Sequence, residues 1–239
     1  TFPMPSMDEH YRQKPLSYFA HLLGYEGEGS LMLALKEAGW ITSLSAGGGT
    51  SGSNYREFTV SCALTTEGLG CIDEIIQAIF SYLTLLSRDG FDEWRYLEKQ
   101  AVLESAFRFQ EPTRPLDLVS HLVVNMQHYA PEDTIYGDFM MNEYDEPLLK
   151  ELLQYLTPEN LRITLIAQGF KYDKQAQWYA SPYSVTPFSS EKLAYYKATS
   201  ELSFCLPPKN PFICYDLDPQ PIDSPVSYTH LTLPTTPVV

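Results

Sequence analysis

The sequence predicts an α+β fold, a two-layer sandwich with helices packed on one face of a mainly antiparallel sheet. Three observations predict it. Apolar Phe58, Val60, Cys62 and Leu64 alternate with Glu57, Thr59, Ser61 and Ala63, the period of a half-buried strand. Leu69, Ile72, Ile75, Ile76, Ile79, Phe80, Leu83 and Leu86 recur at helical spacing and form a wide apolar stripe, as core burial against a sheet requires. The order of elements along the chain is strand, helices, two strands, several helices, strand, which suits one sheet with one helical layer.

The chain opens at Thr1-Phe2-Pro3-Met4 inside what reads as the end of a strand. Pro15 starts a helix whose inner face is Leu16, Phe19, Leu22 and Leu23. The segment His21-Leu22-Leu23-Gly24-Tyr25-Glu26-Gly27-Glu28-Gly29-Ser30-Leu31 then stops that helix in a glycine-rich turn. Ser30 opens a second short helix, and Gly39 closes it. Ile41 to Leu44 reads as a strand that gives way to the flexible run Ala46 to Asn54, before the alternating strand at 57–64. Thr65 or Thr66 caps the long helix that Gly90 ends, and a second long helix follows from about Asp92 to Phe109. Pro112 and Pro115 set off a third, with Leu118, Val119, Leu122, Val123 and Met126. Pro147 to Leu156 is another amphipathic helix, and Leu161 to Ala167 reads as a strand of the same sheet. From Phe170 to Pro225 the Pro, Ser and Tyr content predicts extended segments and linker.

The 239 residues suffice for a proper core, and 44% hydrophobic with 19% charged residues is ordinary for a globular chain. A net charge of -14 argues against nucleic acid and anionic membrane as partners. No apolar run approaches the ~20 residues of a membrane span. Cys62, Cys71, Cys205 and Cys214 form no CxxC pair. His121 and His128 fall seven residues apart, two turns along one helix face. That step separates their Cα atoms by ~10 Å, too far for one zinc. The glycines at 47–52 lack the lysine of a phosphate loop, and no GxSxG elbow occurs.

A set of landmarks in fixed order makes the chain resemble the insulinase (pitrilysin) family of zinc metallopeptidases. They are the segment 21–31, Leu35-Lys36-Glu37-Ala38-Gly39-Trp40, Leu64-Thr65 with Glu67-Gly68-Leu69, and Phe107-Arg108-Phe109. Leu156-Thr157-Pro158-Glu159-Asn160, Trp178-Tyr179 with Pro182-Tyr183, and Leu206-Pro207-Pro208-Lys209-Asn210-Pro211-Phe212 complete them. The resemblance implies a fragment of a four-domain enzyme that closes around a chamber. Residues 1–200 correspond to its second, non-catalytic domain and 201–225 to the start of the linker between the enzyme halves. Residues 226–239 resemble a peptide common at the ends of adaptor-contaminated reads, and are expected to be a non-native tail.

The family's HxxEH motif is absent from these residues, so no cofactor is expected in this fragment, while zinc is expected in the parent enzyme. The resemblance further implies peptide substrate, and the catalytic domain and C-terminal half of the same parent chain, as partners. It implies a periplasmic location if the parent is like bacterial pitrilysins, and a cytosolic one otherwise. An anchoring site for the substrate N-terminus, carried over position by position, would comprise His21, Gly24, Tyr25, Leu44, Ser45, Ala46, Gly47 and Gly48. Tyr25 stands where the family has a second His, and Ser-Ala-Gly-Gly where it has Val-Gly-Gly-Gln. Two alternatives stay open from the residues themselves. The glycine run is either a strand edge to which a peptide adds or a surface loop. The parent is either an active peptidase or an inactive relative serving as scaffold.

Overall fold

The computed structural model describes residues 1–218. The predicted non-native tail at 226–239 lies outside them.

Strand β1 (Phe2–Met4), β2 (Ile41–Gly52) and β3 (Tyr55–Leu64) form an antiparallel sheet in the order β1-β3-β2, so β2 is an edge strand. Phe2 pairs with Phe58, and Gly48 pairs with Phe58 from the other side. Alternation does the sorting here: Phe2, Met4, Leu44 and Phe58 turn into the core, while Pro3, Ser45 and Ser61 face outward. Helix α1 (Pro15–Leu23) and helix α2 (Leu31–Glu37) pack on β2. Phe19 of α1 meets Phe58 edge to face, with ring centroids 6.4 Å apart.

Local chemistry explains the ends of these helices. The Ser30 hydroxyl accepts from the Leu33 amide at 3.0 Å and caps α2. Gly39, at φ 77°, closes it in a left-handed turn. The Gly39 amide there bonds the Lys36 carbonyl, and the Trp40 amide bonds that of Leu35. Helix α3 (Ile72–Asp89) supplies Ile75, Ile76, Phe80, Leu83 and Leu86 to the core, as its stripe predicts. Thr65 does not cap α3 itself. Its hydroxyl bonds the Gly68 amide at 2.9 Å and opens a single short turn ahead of the helix.

Helices α4 (Glu93–Arg108), α5 (Pro115–Asn125) and α6 (Glu146–Leu153) follow where the sequence places them. α6 is amphipathic and buries Leu148, Leu149 and Leu152. α5 buries only Asn125 and leaves Leu116, Val119 and Val123 77%, 57% and 54% exposed.

Four further expectations are corrected. Leu161 to Ala167 is not a strand. Arg162 exchanges both backbone bonds with Thr1, at 2.9 and 3.0 Å, but the pairing goes no further and Ile166 stands 92% exposed. β2 extends through Gly52, so the glycine run is strand instead of loop, with an irregularity between Gly48 and Ser51. The stretch after Phe170 contains a two-residue hairpin, β4 (Lys174–Gln175) with β5 (Pro182–Tyr183), and a helix, α7 (Ser190–Lys197), capped by Ser189. His128 lies beyond the end of α5, so it does not share a helix face with His121.

Residues 202–206 pack back on the core. Phe204 meets Tyr82 edge to face at 5.8 Å, and the Cys205 amide bonds the Gly29 carbonyl at 2.9 Å.

Candidate functional site

The eight residues singled out in the sequence lie on two adjoining elements and in the turn that ends the first. α1 ends in His21 and Gly24, and β2, on which α1 packs, holds Leu44 to Gly48. Helix and edge strand are therefore neighbours, although Leu44 and Ser45 face opposite sides of the sheet. His21 is half-buried, and burial first, then the positive charge of Lys99, pulls its pKa down to about 4. Its imidazole is thus a neutral group at ordinary pH, able to donate one hydrogen bond and accept another. The Gly24 amide closes α1 by bonding the Ala20 carbonyl at 2.8 Å. Tyr25 folds its ring over Gly27, where any Cβ would overlap the phenol. Gly29, at φ 73°, receives Cys205 where a side chain would otherwise stand.

On the strand, Leu44 points into the core, and its side chain is spent on packing. Ser45 is exposed, and Ala46 and Gly47 are half-buried. A Cβ built on Gly47 would meet nothing within 4 Å, so that stretch is open. The inner edge of β2 is bonded to β3 throughout 44–48, and among the described residues no strand occupies its outer edge. Backbone groups there are unpaired donors and acceptors set in extended geometry, the template for one further strand.

Two cations beside this edge escaped the sequence reading. Arg56 lies on the inward-facing side of β3, in series with Phe58, Val60 and Cys62, and pairs across the sheet with Ser51. Its guanidinium reaches over β2, and Nη2 lies 2.7 Å from where a Cβ of Gly48 would be. Among the described residues Arg56 makes no side-chain hydrogen bond or ion pair. Lys14, at the start of α1, is held below its ordinary pKa first by burial and further by Arg56, against the opposing pull of Asp138. The available signal was the position of Arg56 in the apolar series, since an inward charge at a strand end is a departure that asks for a reason.

Beyond Lys14 lies a polar cluster. Asp138 accepts from Asn125 at 2.8 Å and Tyr129 at 2.9 Å, and its Oδ2 lies 2.7 Å from His121 Nε2. Burial would raise that carboxyl, but these hydrogen bonds outweigh it and hold it below the usual carboxylate range. His128 pairs separately with Asp8 at 3.7 Å. Among the described residues no three His, Cys, Asp or Glu side chains converge as metal ligands. The side chains of the described residues therefore offer no ligand set that fits a catalytic zinc.

Comparison with known proteins decides the family. Residues 1–103 match the domain described as "Peptidase M16 inactive domain", and residues 107–237 match "Middle or third domain of peptidase_M16". The chain belongs to the M16 peptidase family. It is 37% identical over 234 residues to a nardilysin-like protein of Arabidopsis thaliana, an alignment covering 95% of this chain and 23% of that protein. To the insulin-degrading enzyme-like 1, peroxisomal, of the same plant it is 33% identical over 220 residues, covering 91% and 23% respectively. To human nardilysin it is 30% identical over 245 residues, covering 99% and 21%. The fold matches crystalline pitrilysin at a TM-score of 0.86 and 30% identity, over 90% of this chain and 23% of that one. This M16 chain spans less than a quarter of the length of these relatives. Among its described residues no helix is long and apolar enough to cross a membrane.

Proposed function

We propose that this chain is the substrate-holding, non-catalytic part of a zinc metalloendopeptidase that degrades peptides inside a closing chamber. In this reading residues 1–200 form the second domain, 201–225 begin the linker between halves and 226–239 are a non-native tail, whereas the two family-domain matches meet near residues 103–107 and the later one runs to 237. The zinc and its activating base lie elsewhere in the parent. This part contributes chamber wall and a strand edge that anchors peptide substrate.

The observation that carries the reading is the glycine run as an edge strand. Ser45, Ala46, Gly47 and Gly48 are small, lie in regular register with β3, and present an outer edge that no described strand occupies. Main-chain bonding along such an edge tolerates many side-chain sequences, as a degradative peptidase needs. His21, Gly24 and Tyr25 flank the strand from α1 and the turn after it. Binding energy gained there positions a scissile bond held at a distant zinc, so a domain without chemistry still governs turnover. The exposed apolar face of α5 supports the wall role, because roughly four-fifths of the relatives' length lies outside this chain and is available to cover it.

Proline scanning in the full-length parent tests the anchor. Adjacent residues of a strand point their amides to opposite sides, so one of Ala46→Pro and Gly47→Pro removes a ladder bond and the other an edge bond. The edge variant should keep its fold and zinc content and bind peptide about tenfold more weakly, equivalent to ~1.4 kcal/mol. Peptide affinity unchanged in both variants, with the fold intact, would reduce the segment to an ordinary strand.

A further inference from the structure

We infer that Arg56 makes the β2 edge selective for peptides carrying an acidic side chain next to Gly48. The inference rests on the strand-anchoring reading and adds a specificity to it. The argument is geometric. Arg56 has its Cα on the central strand β3, opposite Ser51, yet its guanidinium lies above Gly48 on the edge strand, with Nη2, Nε and Cζ 2.7, 3.1 and 3.3 Å from the position of a Cβ there. The side chain reaches from β3 across the inner face of the sheet as far as β2. Only a residue without a Cβ at 48 permits this, so the Gly48–Arg56 pair acts as a unit.

A peptide strand added outside β2 would set one residue directly beside Gly48. Side chains of directly paired residues sit ~5 Å apart on the same face. A glutamate or aspartate facing inward at that position comes within reach of the guanidinium fork, which suits a carboxylate geometrically. Nothing among the described residues competes for the fork, since Arg56 has no hydrogen-bond or ion-pair partner there. Two nearby groups set its background. Lys14 adds positive charge on the same side, and Asp138 is engaged by Asn125, Tyr129 and His121. In a chain of net charge -14 the edge thus ends in a local positive site. An acidic peptide, otherwise repelled by the whole molecule, is attracted at that one position.

The test uses the full-length parent in EDTA, so that peptide is held without being cut. Fluorescein-labelled ten-residue peptides of Thr, Val and Ser carry a single Glu, walked one position at a time, each beside a Gln control, and binding is read by anisotropy. One position should favour Glu over Gln about tenfold at low salt, with the preference shrinking in 0.5 M NaCl as ~3–5 Å screening sets in. Arg56→Gln should bring the ratio to about one while leaving Gln-peptide affinity intact. Gly48→Ala, which displaces the guanidinium without removing charge, should do the same. A wild-type ratio near one at every position overturns the inference without recourse to any variant. So does a preference that survives both substitutions in folded protein. If the edge proline variant weakens the Gln peptides in either case, the anchoring reading stands and only the specificity falls. If proline has no effect on any peptide, both fall together.

Discussion

His21 shows how a single residue in this fold couples position to stability. Its folded pKa of about 4 is set by burial and then by Lys99, whereas an unfolded histidine titrates near 6.5. Above pH 6.5 both states are neutral, and the residue contributes nothing pH-dependent. As pH falls from 6.5 toward 4, the unfolded chain takes up a proton that the folded chain refuses. Stability therefore drops across that window by up to about 1.4 kcal/mol per pH unit, and the loss levels off below it. His21→Gln, which keeps hydrogen-bonding capacity without the titration, should flatten the curve of unfolding midpoint against pH between 6.5 and 4. An identical acid slope in wild type and variant would assign the sensitivity to other groups. The same residue shows why its partner was missed, because Lys99 lies on α4, far along the chain, and nothing in the sequence joins the two.

Elements were legible where a local signal and a packing demand agreed. Pro15 and the Leu16, Phe19, Leu22, Leu23 face located α1, and Ser30 with Gly39 bounded α2, because capping chemistry acts within a few residues. Leu161 to Ala167 failed for the opposite reason. Its alternation is real, but a strand exists only through its partner, and among the described residues Thr1 alone pairs with it in strand fashion, at Arg162. The glycine run misled in the reverse sense, since glycine weakens a strand locally while the long register with β3 holds it extended. α7 was overlooked because Tyr195, Tyr196 and the polar residues around them give almost no helical stripe, although Ser189 marks its start. One glycine does bear on an element boundary. A Cβ at Gly68 would overlap the Trp40 carbonyl, which also accepts from the Thr65 amide at 3.0 Å, in the turn joining β3 to α3. Gly68→Ala should cost about 2–3 kcal/mol in chemical denaturation, as overpacking against rigid backbone does. Gly70→Ala, two residues on, has open space and should cost far less. Equal losses at the two sites would mean that backbone freedom matters there and the steric contact does not.

At the scale of the whole molecule, the distribution of apolar surface separates what this chain does alone from what it does inside a longer one. The core formed by the sheet, α1, α2, α3 and α6 is closed, with Phe19, Leu22, Leu35 and Phe58 fully buried. α5 stands outside it, for its Leu116, Val119 and Val123 share one helical face and lie apart from the core cluster. Such a row would be costly to keep in water if nothing met it, and the relatives are more than four times the length of this chain. The expectation is that other parts of the parent bury it. Leu116→Glu with Val123→Glu should then change the stability of the isolated chain by no more than about 0.5 kcal/mol, as exposed substitutions do. In the full-length parent each lost side chain would forfeit about 1.5–3 kcal/mol of burial, with a buried charge added to the cost. Thermal unfolding of the two proteins, each with and without the pair, distinguishes the cases. A large drop confined to the parent places α5 in an interface. Small and equal shifts in both would make it a tolerated surface helix, and the chamber wall would have to be sought on another face.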